Sequence, residues 1–170
     1  MEIEKYIREI ENFPKQGVHF KDITPLLADK KAFEICLEKL FALIPDTKID
    51  KVVGIESRGF FFGMLLAQKL NAGFVPIRKP GKLPYNTLKE PYQLEYGLDV
   101  LEIHDDAINK GERVLLHDDV LATGGTARAA CKLIERLGGE IVQCNFLIEI
   151  EFLKGRQKLQ KHNVKSLLKY

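Results

Sequence analysis

Two adjacent acids and the small-residue loop after them are the part of this sequence with the clearest chemical meaning. Within RVLLHDDVLATGGTARAACKLIERLGG (113–139), an apolar run stops at Asp118 and Asp119, and the loop ATGGT then leads into a predicted helix. Small residues let backbone N–H groups approach a ligand, and the first turn of a helix carries partial positive charge. The loop therefore predicts a phosphate site formed by Ala122, Thr123, Gly124, Gly125 and Thr126.

The two acids cannot bind that phosphate themselves, because ionised carboxylates only accept hydrogen bonds. Asp118 and Asp119 suit a neighbouring donor, either a metal ion or the two hydroxyls of a vicinal diol. A phosphate beside a diol is a ribose 5-phosphate, and negative charge there would stabilise a cation developing on the sugar ring. The alternative is a solvated acidic turn before an ordinary helix. The motif has neither a Walker lysine nor a G-x-G-x-x-G pattern, which disfavours a triphosphate or dinucleotide site.

The stretch VLLHDDVLATGGT (114–126) resembles the phosphoribosyl-diphosphate-binding motif of the type I phosphoribosyltransferases. A second segment, GIESRGFFFG (54–63), places Ser57 and Arg58 between a predicted strand and a predicted helix. Arg58 offers a planar fork for phosphate oxygens, although an exposed arginine in a first helical turn is an equal alternative. The segment is similar to one that binds the donor's pyrophosphate in the adenine-specific branch of this family, often after a strained peptide. The resemblance implies that role for Ser57 and Arg58.

A long segment, RKPGKLPYNTLKEPYQLEYG (78–97), contains three prolines and little periodicity, and it predicts a flexible lid loop. Its four cations suit an anionic ligand, although a solvated mobile loop is the common alternative. The segment resembles the flexible loop of the adenine-specific branch. That resemblance implies that Glu95 and Tyr96 close over the reacting centre, with Glu95 as the acid–base group near the purine N7. It also implies that three of the cations contact pyrophosphate, namely Arg78, Lys79 and Lys82, while Lys89 has no assigned role.

The base-recognition residues come from GVHFKDITPLL (17–27), a segment that also resembles the adenine-specific branch. The resemblance implies that Phe20 stacks on the purine and that backbone groups at His19 and Lys21 read its edge. His19 stands where an aliphatic residue is usual, and Lys21 where many members carry arginine. Backbone recognition survives such side-chain changes, so adenine remains the expected base. Without the resemblance, a core phenylalanine in an extended segment is the better interpretation.

The elements that must position these residues alternate between short apolar strands and helices. Strands are predicted at 51–55, 74–78, 100–104, 113–117 and 140–150, with helices at 58–70, after Gly125 and at 155–161. This alternation predicts an α/β fold with a doubly wound, mainly parallel central sheet, helices on both faces and ligands at the carboxyl ends of the strands. Residues 1–170 are predicted to form one domain whose first 45 residues make a small N-terminal hood. That hood is predicted to contain an amphipathic helix at 2–12 and a helix from Lys31 to about Ile44, capped by Asp29.

Composition excludes several other classes of protein. The chain of 170 residues has a net charge of +2, which predicts no general attraction to nucleic acid or membranes. No apolar run approaches the roughly 20 residues that a membrane helix needs. Three widely spaced cysteines, Cys36, Cys131 and Cys144, argue against a disulfide framework and for a reducing cytoplasm.

Together, the segments imply a purine salvage enzyme that converts adenine and 5-phosphoribosyl 1-diphosphate to AMP and pyrophosphate. The family resemblance further implies Mg²⁺, held mainly through substrate rather than directly by the protein, and a homodimer. A phosphoribosyltransferase for hypoxanthine, guanine or xanthine is the first alternative. A non-catalytic regulator of the same fold would need a nucleic-acid-binding extension. A plain nucleotide-binding module would leave the acid pair without a role.

Overall fold

The computed structural model of the chain describes residues 2–93 and 97–170. The chain divides into two compact units, one ending at Ala42 and one running from Leu43 to Tyr170. Each unit is described by itself below.

The N-terminal unit combines a β-hairpin with helices. A 3₁₀ turn leads into the hairpin, in which β1 and β2 pair antiparallel, and two helices follow: Ile3–Tyr6, β1 (Arg8–Glu11), β2 (His19–Asp22), α1 (Thr24–Ala28) and α2 (Lys30–Ala42). The Asp29 carboxylate accepts the Ala32 N–H at 2.8 Å, which confirms the predicted cap.

The predicted helix at 2–12 is wrong, because only its first turn is helical and the rest is strand. The apolar spacing fits a helix, but residues 8–11 find partners on β2, with Ile10 opposite Phe20. Glu9 accepts hydrogen bonds from both His19 and Lys21 across the hairpin, a pairing that a local helical pattern does not encode.

The C-terminal unit is built on a five-stranded sheet in which all neighbouring strands are parallel, in the order β4-β3-β7-β8-β9. This confirms the predicted α/β class. Its elements, in chain order, are β3 (Lys51–Ile55), α3 (Gly59–Lys69), β4 (Gly73–Ile77), β5 (Thr87–Gln93), β6 (Leu98–His104), β7 (Arg113–Leu121), α4 (Gly125–Arg136), β8 (Glu140–Glu149), 3₁₀ turns at Glu151–Leu153 and Gly155–Leu159, and β9 (Val164–Lys169).

The direction of winding reverses between the two adjacent strands β3 and β7. The chain leaves β3 through α3 toward β4 on one side, and leaves β7 through α4 toward β8 on the other. Because parallel crossovers are right-handed, the two helices cover opposite faces of the sheet. The loops after β3 and β7 thus diverge at the carboxyl edge and open a crevice there.

Part of the segment expected to lack regular structure forms a strand. Residues 87–93 make β5, which pairs antiparallel along its whole length with β6, so 98–104 does not join the parallel sheet as expected. The β5–β6 pair, called the arm below, contacts α4. Lys132 binds Glu90 at 2.7 Å, and Arg136 donates to the Lys89 carbonyl at 2.7 Å.

The core lies between the sheet, α4 and the β5–β6 arm. Every residue of β8 from 143 to 149 is buried, as expected for a central strand covered on both faces. Among residues 2–93 and 97–170, no helix has the length and apolar character needed to span a bilayer.

Candidate active site

Asp118 and Asp119 lie within strand β7, near its carboxyl end, rather than after the strand. The Asp119 side chain forms an ion pair with Arg58, and the Asp119 N–H donates to Asp118 Oδ1 at 2.9 Å. Burial, followed by the charge of Asp119, raises the pKa of Asp118 well above its usual range. Burial also raises the pKa of Asp119, while Arg58 opposes that rise. Two negative charges at this place therefore need a nearby cation or donor to be held together.

A glycine lets the start of α3 approach these acids. A Cβ on Gly59 would lie 2.8 Å from Asp118 Oδ1 and 3.0 Å from the His117 carbonyl oxygen. No side chain fits between α3 and β7 at that point, so Gly59 sets the distance between Arg58 and the acid pair. The close packing of α3 against β7 therefore requires glycine at this position of the SRGF segment.

The predicted phosphate loop joins β7 to α4. Residues 122–124 form bends, α4 begins at Gly125, and Gly124 has φ +78, a conformation that favours glycine. The first N–H groups of α4 have no partner within the helix, so the loop and helix start present donors to one point. Thr126, in the first turn of the helix, faces the same cleft as the acid pair.

Glu56 collects the cations at the base of the predicted lid. Its carboxylate accepts from Lys82 Nζ at 2.7 Å, from the Lys79 N–H at 2.7 Å, and from Arg78 at 3.3 and 3.4 Å. Burial by itself would raise the pKa of Glu56, but these hydrogen bonds outweigh it and lower the pKa to about 2. The peptide between Glu56 and Ser57 is cis. Because both bind Glu56, Arg78 and Lys82 lie beside the next residues of the chain, Ser57 and Arg58.

The Lys79 side chain takes a different direction from that of Lys82. It forms an ion pair with Asp99 and donates to the Tyr92 hydroxyl at 2.7 Å, and that hydroxyl donates to Asp99 at 3.0 Å. Burial opposes the charge of Lys79, but the hydrogen bonds that it donates to Asp99 and Tyr92 raise its pKa above the usual range. Lys89, the cation without an assigned role, binds the nearly buried Glu102 at 2.9 Å. Lys89 thus has a structural partner on β6.

One cleft of about 240 Å³, at the crevice between β3 and β7, brings together six of the predicted residues: Ser57, Arg58, Lys79, Asp118, Asp119 and Thr126. Its lining includes the acid pair with Arg58, and Lys79 with Thr126, which the sequence places far apart. Four further lining residues were not predicted, and they come from strand ends or the β5–β6 arm: Ile55, Glu56, Tyr92 and Leu101. Glu56 and Tyr92 stand inside the segments singled out from sequence, but their roles depend on distant partners.

The predicted base-recognition residues lie on β2 of the N-terminal unit. His19 Nδ1 is 2.7 Å from Glu9 Oε1, and Lys21 donates to the other oxygen of Glu9. The Phe20 ring packs edge-on against Phe13, with ring centroids 5.2 Å apart. The hairpin thereby holds the segment extended, with backbone groups along its edge. Glu95 and Tyr96, predicted for the lid, fall outside the described residues.

A buried polar chain behind the acid pair explains His117, which has no role in the sequence-based predictions. Gln143 Nε2 donates to the Leu43 carbonyl at 2.8 Å, and Asn145 Nδ2 donates to Gln143 Oε1 at 3.2 Å. The Asn145 side-chain oxygen, Oδ1, accepts from His117 Nδ1 at 2.9 Å. Burial lowers the pKa of His117 to about 4, although Asn145 opposes the change. The imidazole is consequently neutral near pH 7.

This histidine makes a testable contribution to acid sensitivity. Between about pH 6.5 and 4 the unfolded chain binds the proton and the folded chain does not, so stability rises with pH through this window and is lost as pH falls. The shift corresponds to roughly 3 kcal/mol in the free energy of unfolding. We expect His117→Gln to flatten the slope of stability against pH, measured by urea unfolding from pH 7.5 to 4.5. Leu66→Ala, which removes buried volume and no titrating group, should lower stability by the same amount at each pH; equal slopes for wild type and His117→Gln would contradict the assignment.

Comparisons with known proteins bear on the family and the fold of this chain. The sequence model of the phosphoribosyl transferase domain matches residues 25–169. The adenine phosphoribosyltransferase of Christiangramia forsetii is 67% identical over 170 residues, which cover 100% of this chain and 99% of the relative. The crystal structure of the adenine phosphoribosyltransferase of Thermoanaerobacter pseudethanolicus is 52% identical, with a TM-score of 0.97, covering 99% of this chain and 98% of that one. The Saccharomyces cerevisiae enzyme, solved with an imino-altritol bisphosphate and adenine, is 42% identical, with a TM-score of 0.91 and coverage of 96% and 95%.

Proposed function

The chain belongs to the adenine phosphoribosyltransferases, and we propose that the cleft between β3 and β7 is the active site in which it makes AMP. The reaction converts adenine and 5-phosphoribosyl 1-diphosphate to AMP and pyrophosphate, a step of purine salvage. One observation carries the assignment of the site. The paired acids Asp118 and Asp119, beside Arg58, lead within a few residues into a helix-start loop, so a diol site adjoins a phosphate site.

On the sugar side, residues 122–126 bind the 5′-phosphate through backbone N–H groups and the hydroxyls of Thr123 and Thr126. Asp118 and Asp119 accept hydrogen bonds from the ribose hydroxyls and stabilise positive charge that develops on the ring as the bond to pyrophosphate breaks. Since burial raises the pKa of both acids, Arg58 helps to keep Asp119 charged for this task.

On the leaving-group side, Ser57 donates its hydroxyl to the pyrophosphate, and four cations neutralise the charge of the pyrophosphate: Arg58, Arg78, Lys79 and Lys82. The support for this role is their convergence on acceptors: Arg78 and Lys82 already meet around one carboxylate, and Lys79 meets another. Cations that already surround a carboxylate need little rearrangement to surround the pyrophosphate.

Magnesium fits this site only with the help of substrate oxygens. Among residues 2–93 and 97–170, no group of three acids, histidines or cysteines could hold a metal ion. Two carboxylates, Asp118 and Asp119, agree with the preference of Mg²⁺ for one or two carboxylates plus phosphate and water. When bound, the ion neutralises charge on the leaving pyrophosphate.

The base is bound by the β2 segment. Phe20 stacks on the purine, and backbone groups at His19 and Lys21 recognise its edge, as the family resemblance implies. N9 of adenine then forms the bond to C1′ as the bond between C1′ and the pyrophosphate oxygen breaks. Glu95 takes the proton from the base, and the lid residues Glu95 and Tyr96 keep water from the reactive sugar.

The role of Phe20 is tested by Phe20→Ala. Loss of stacking is expected to raise the Michaelis constant for adenine about 10- to 100-fold and to leave that for phosphoribosyl diphosphate within about twofold. Steady-state kinetics with each substrate varied in turn measures both constants. The matched control is Phe13→Ala, which removes the ring packed on Phe20 but not the stacking group. Equal losses for both substrates would place Phe20 in the core of the hairpin instead.

Base choice is tested by measuring nucleotide formation from adenine, hypoxanthine, guanine and xanthine with phosphoribosyl diphosphate and Mg²⁺. AMP as the dominant product supports the assignment. Comparable rates with another purine would favour the alternative, a phosphoribosyltransferase for that base. No nucleotide from any base would favour a regulator or a plain binding module.

We also propose a homodimer and a cytoplasmic location. In support of the dimer, Phe61 and Met64 on α3 are 46% and 57% exposed and form an apolar face. In support of a reducing compartment, Cys36, Cys131 and Cys144 are all free and buried.

A further inference from the structure

The turn at Gly155 lies directly behind the phosphate loop, backbone against backbone. A Cβ on Gly155 would overlap the Ala122 carbonyl oxygen and would lie 2.9 Å from the Gly124 nitrogen. A Cβ on Gly124 would in turn overlap the Gly155 carbonyl oxygen. No side chain fits between the two segments, so the position of the turn sets the position of the loop.

The residue after Gly155 fixes this turn to the sheet. The Arg156 guanidinium binds Glu149 through Nε at 2.9 Å and a second nitrogen at 2.5 Å, and it also donates to the Val164 carbonyl at 2.7 Å and to Ser166 Oγ at 3.3 Å. The hydrogen bond from Arg156 is the largest cause that lowers the pKa of the nearly buried Glu149. A two-pronged contact of this kind defines orientation as well as distance.

Glu149 connects this anchor to the loop itself. It is the last residue of β8 and pairs with Leu121, the last residue of β7 before the loop begins. The next residue, Ile150, donates its N–H to the Leu121 carbonyl at 2.9 Å. One buried carboxylate therefore holds the turn behind the loop and stands beside the point where the loop leaves the sheet.

We propose that Gly155 and Arg156 are positioning residues for the 5′-phosphate of the donor. The proposal rests on the proposed function of residues 122–126 as the phosphate loop. A site made mainly of backbone N–H groups has few side chains that can adjust, so its geometry depends on what supports it from behind. Gly155 supplies a support with no bulk, and Arg156 holds that support in register with β7, β8 and β9.

The experiment compares two competitive probes on the full enzyme: ribose 5-phosphate, which carries the 5′-phosphate, and pyrophosphate, which does not. Gly155→Ala is expected to raise the inhibition constant of ribose 5-phosphate by roughly tenfold or more and to leave that of pyrophosphate within about twofold. The matched control is Gly73→Ala, because a Cβ there meets only the flexible Lys51 side chain. Gly73→Ala should change neither constant.

Arg156→Lys is the second variant, in case Gly155→Ala does not fold. It keeps the charge and loses the fork, and the same selective loss for ribose 5-phosphate is expected. Equal losses for both probes, or no loss in a folded variant, would overturn the positioning role. Thr123→Ala, within the loop, separates this proposal from the assignment of the site. If Thr123→Ala weakens ribose 5-phosphate and the two variants behind the loop do not, only the positioning role fails. If Thr123→Ala also has no effect, the phosphate assignment itself fails.

Discussion

Asp119→Asn is expected to lower turnover by about 100- to 1,000-fold while the Michaelis constant for adenine changes little. Asparagine keeps the shape of the side chain but loses the charge that stabilises the developing sugar cation. It also removes the ionic partner of Arg58, on the pyrophosphate side of the cleft. Because that stabilisation is needed only as the C1′ bond breaks, the loss should appear in turnover and not in adenine binding.

The chain provides a matched control for this change, since the tripeptide His-Asp-Asp occurs at 104–106 as well as at 117–119. Asp106 is exposed, and Asp106→Asn should leave the rate unchanged. Steady-state rates at saturating substrates, with circular dichroism to check the fold, measure the effect. Unchanged turnover in folded Asp119→Asn would remove its transition-state role and leave it as a structural partner of Arg58.

Glu95→Gln is expected to slow the chemical step by about 100-fold or more, since glutamine cannot accept the proton from the base. Product release can limit steady-state turnover, so the informative measurement is the single-turnover rate of AMP formation with enzyme in excess. The substitution is nearly isosteric and should leave the closing of the lid intact.

Glu90, five positions earlier in the sequence, provides the control. Glu90 binds Lys132 and Arg136 on the surface of α4, and Glu90→Gln should leave the single-turnover rate at the wild-type value. A single-turnover rate of Glu95→Gln equal to wild type would make Glu95 a lid residue without a role in proton transfer.

The elements that the sequence predicted well are those whose signals are local. Strand β3 was placed to the residue, and Asp29 caps α2 as expected. The acids and the phosphate loop are contiguous, so one strand, one bend and one helix start position them without help from the rest of the chain. The same locality explains the two errors: apolar spacing at 2–12 and prolines in 78–97 were interpreted without the strands that pair with them, β2 and β6.

By itself, the sequence determined the fold class and the order of its βα units, and it predicted the chemistry of residues 118–126, because hydrophobic periodicity and helix-start chemistry act over a few residues. Only the tertiary structure decided which distant groups face that loop. Arg58 reaches Asp119 because winding reverses between β3 and β7. Glu56 gathers the lid cations, and Gly155 supports the loop from behind, through contacts that leave no periodic trace in the chain. Such contacts depend on how strands and loops pack in three dimensions. In the sequence, each is represented only by one isolated acid or glycine, which carries no signal of its distant partners.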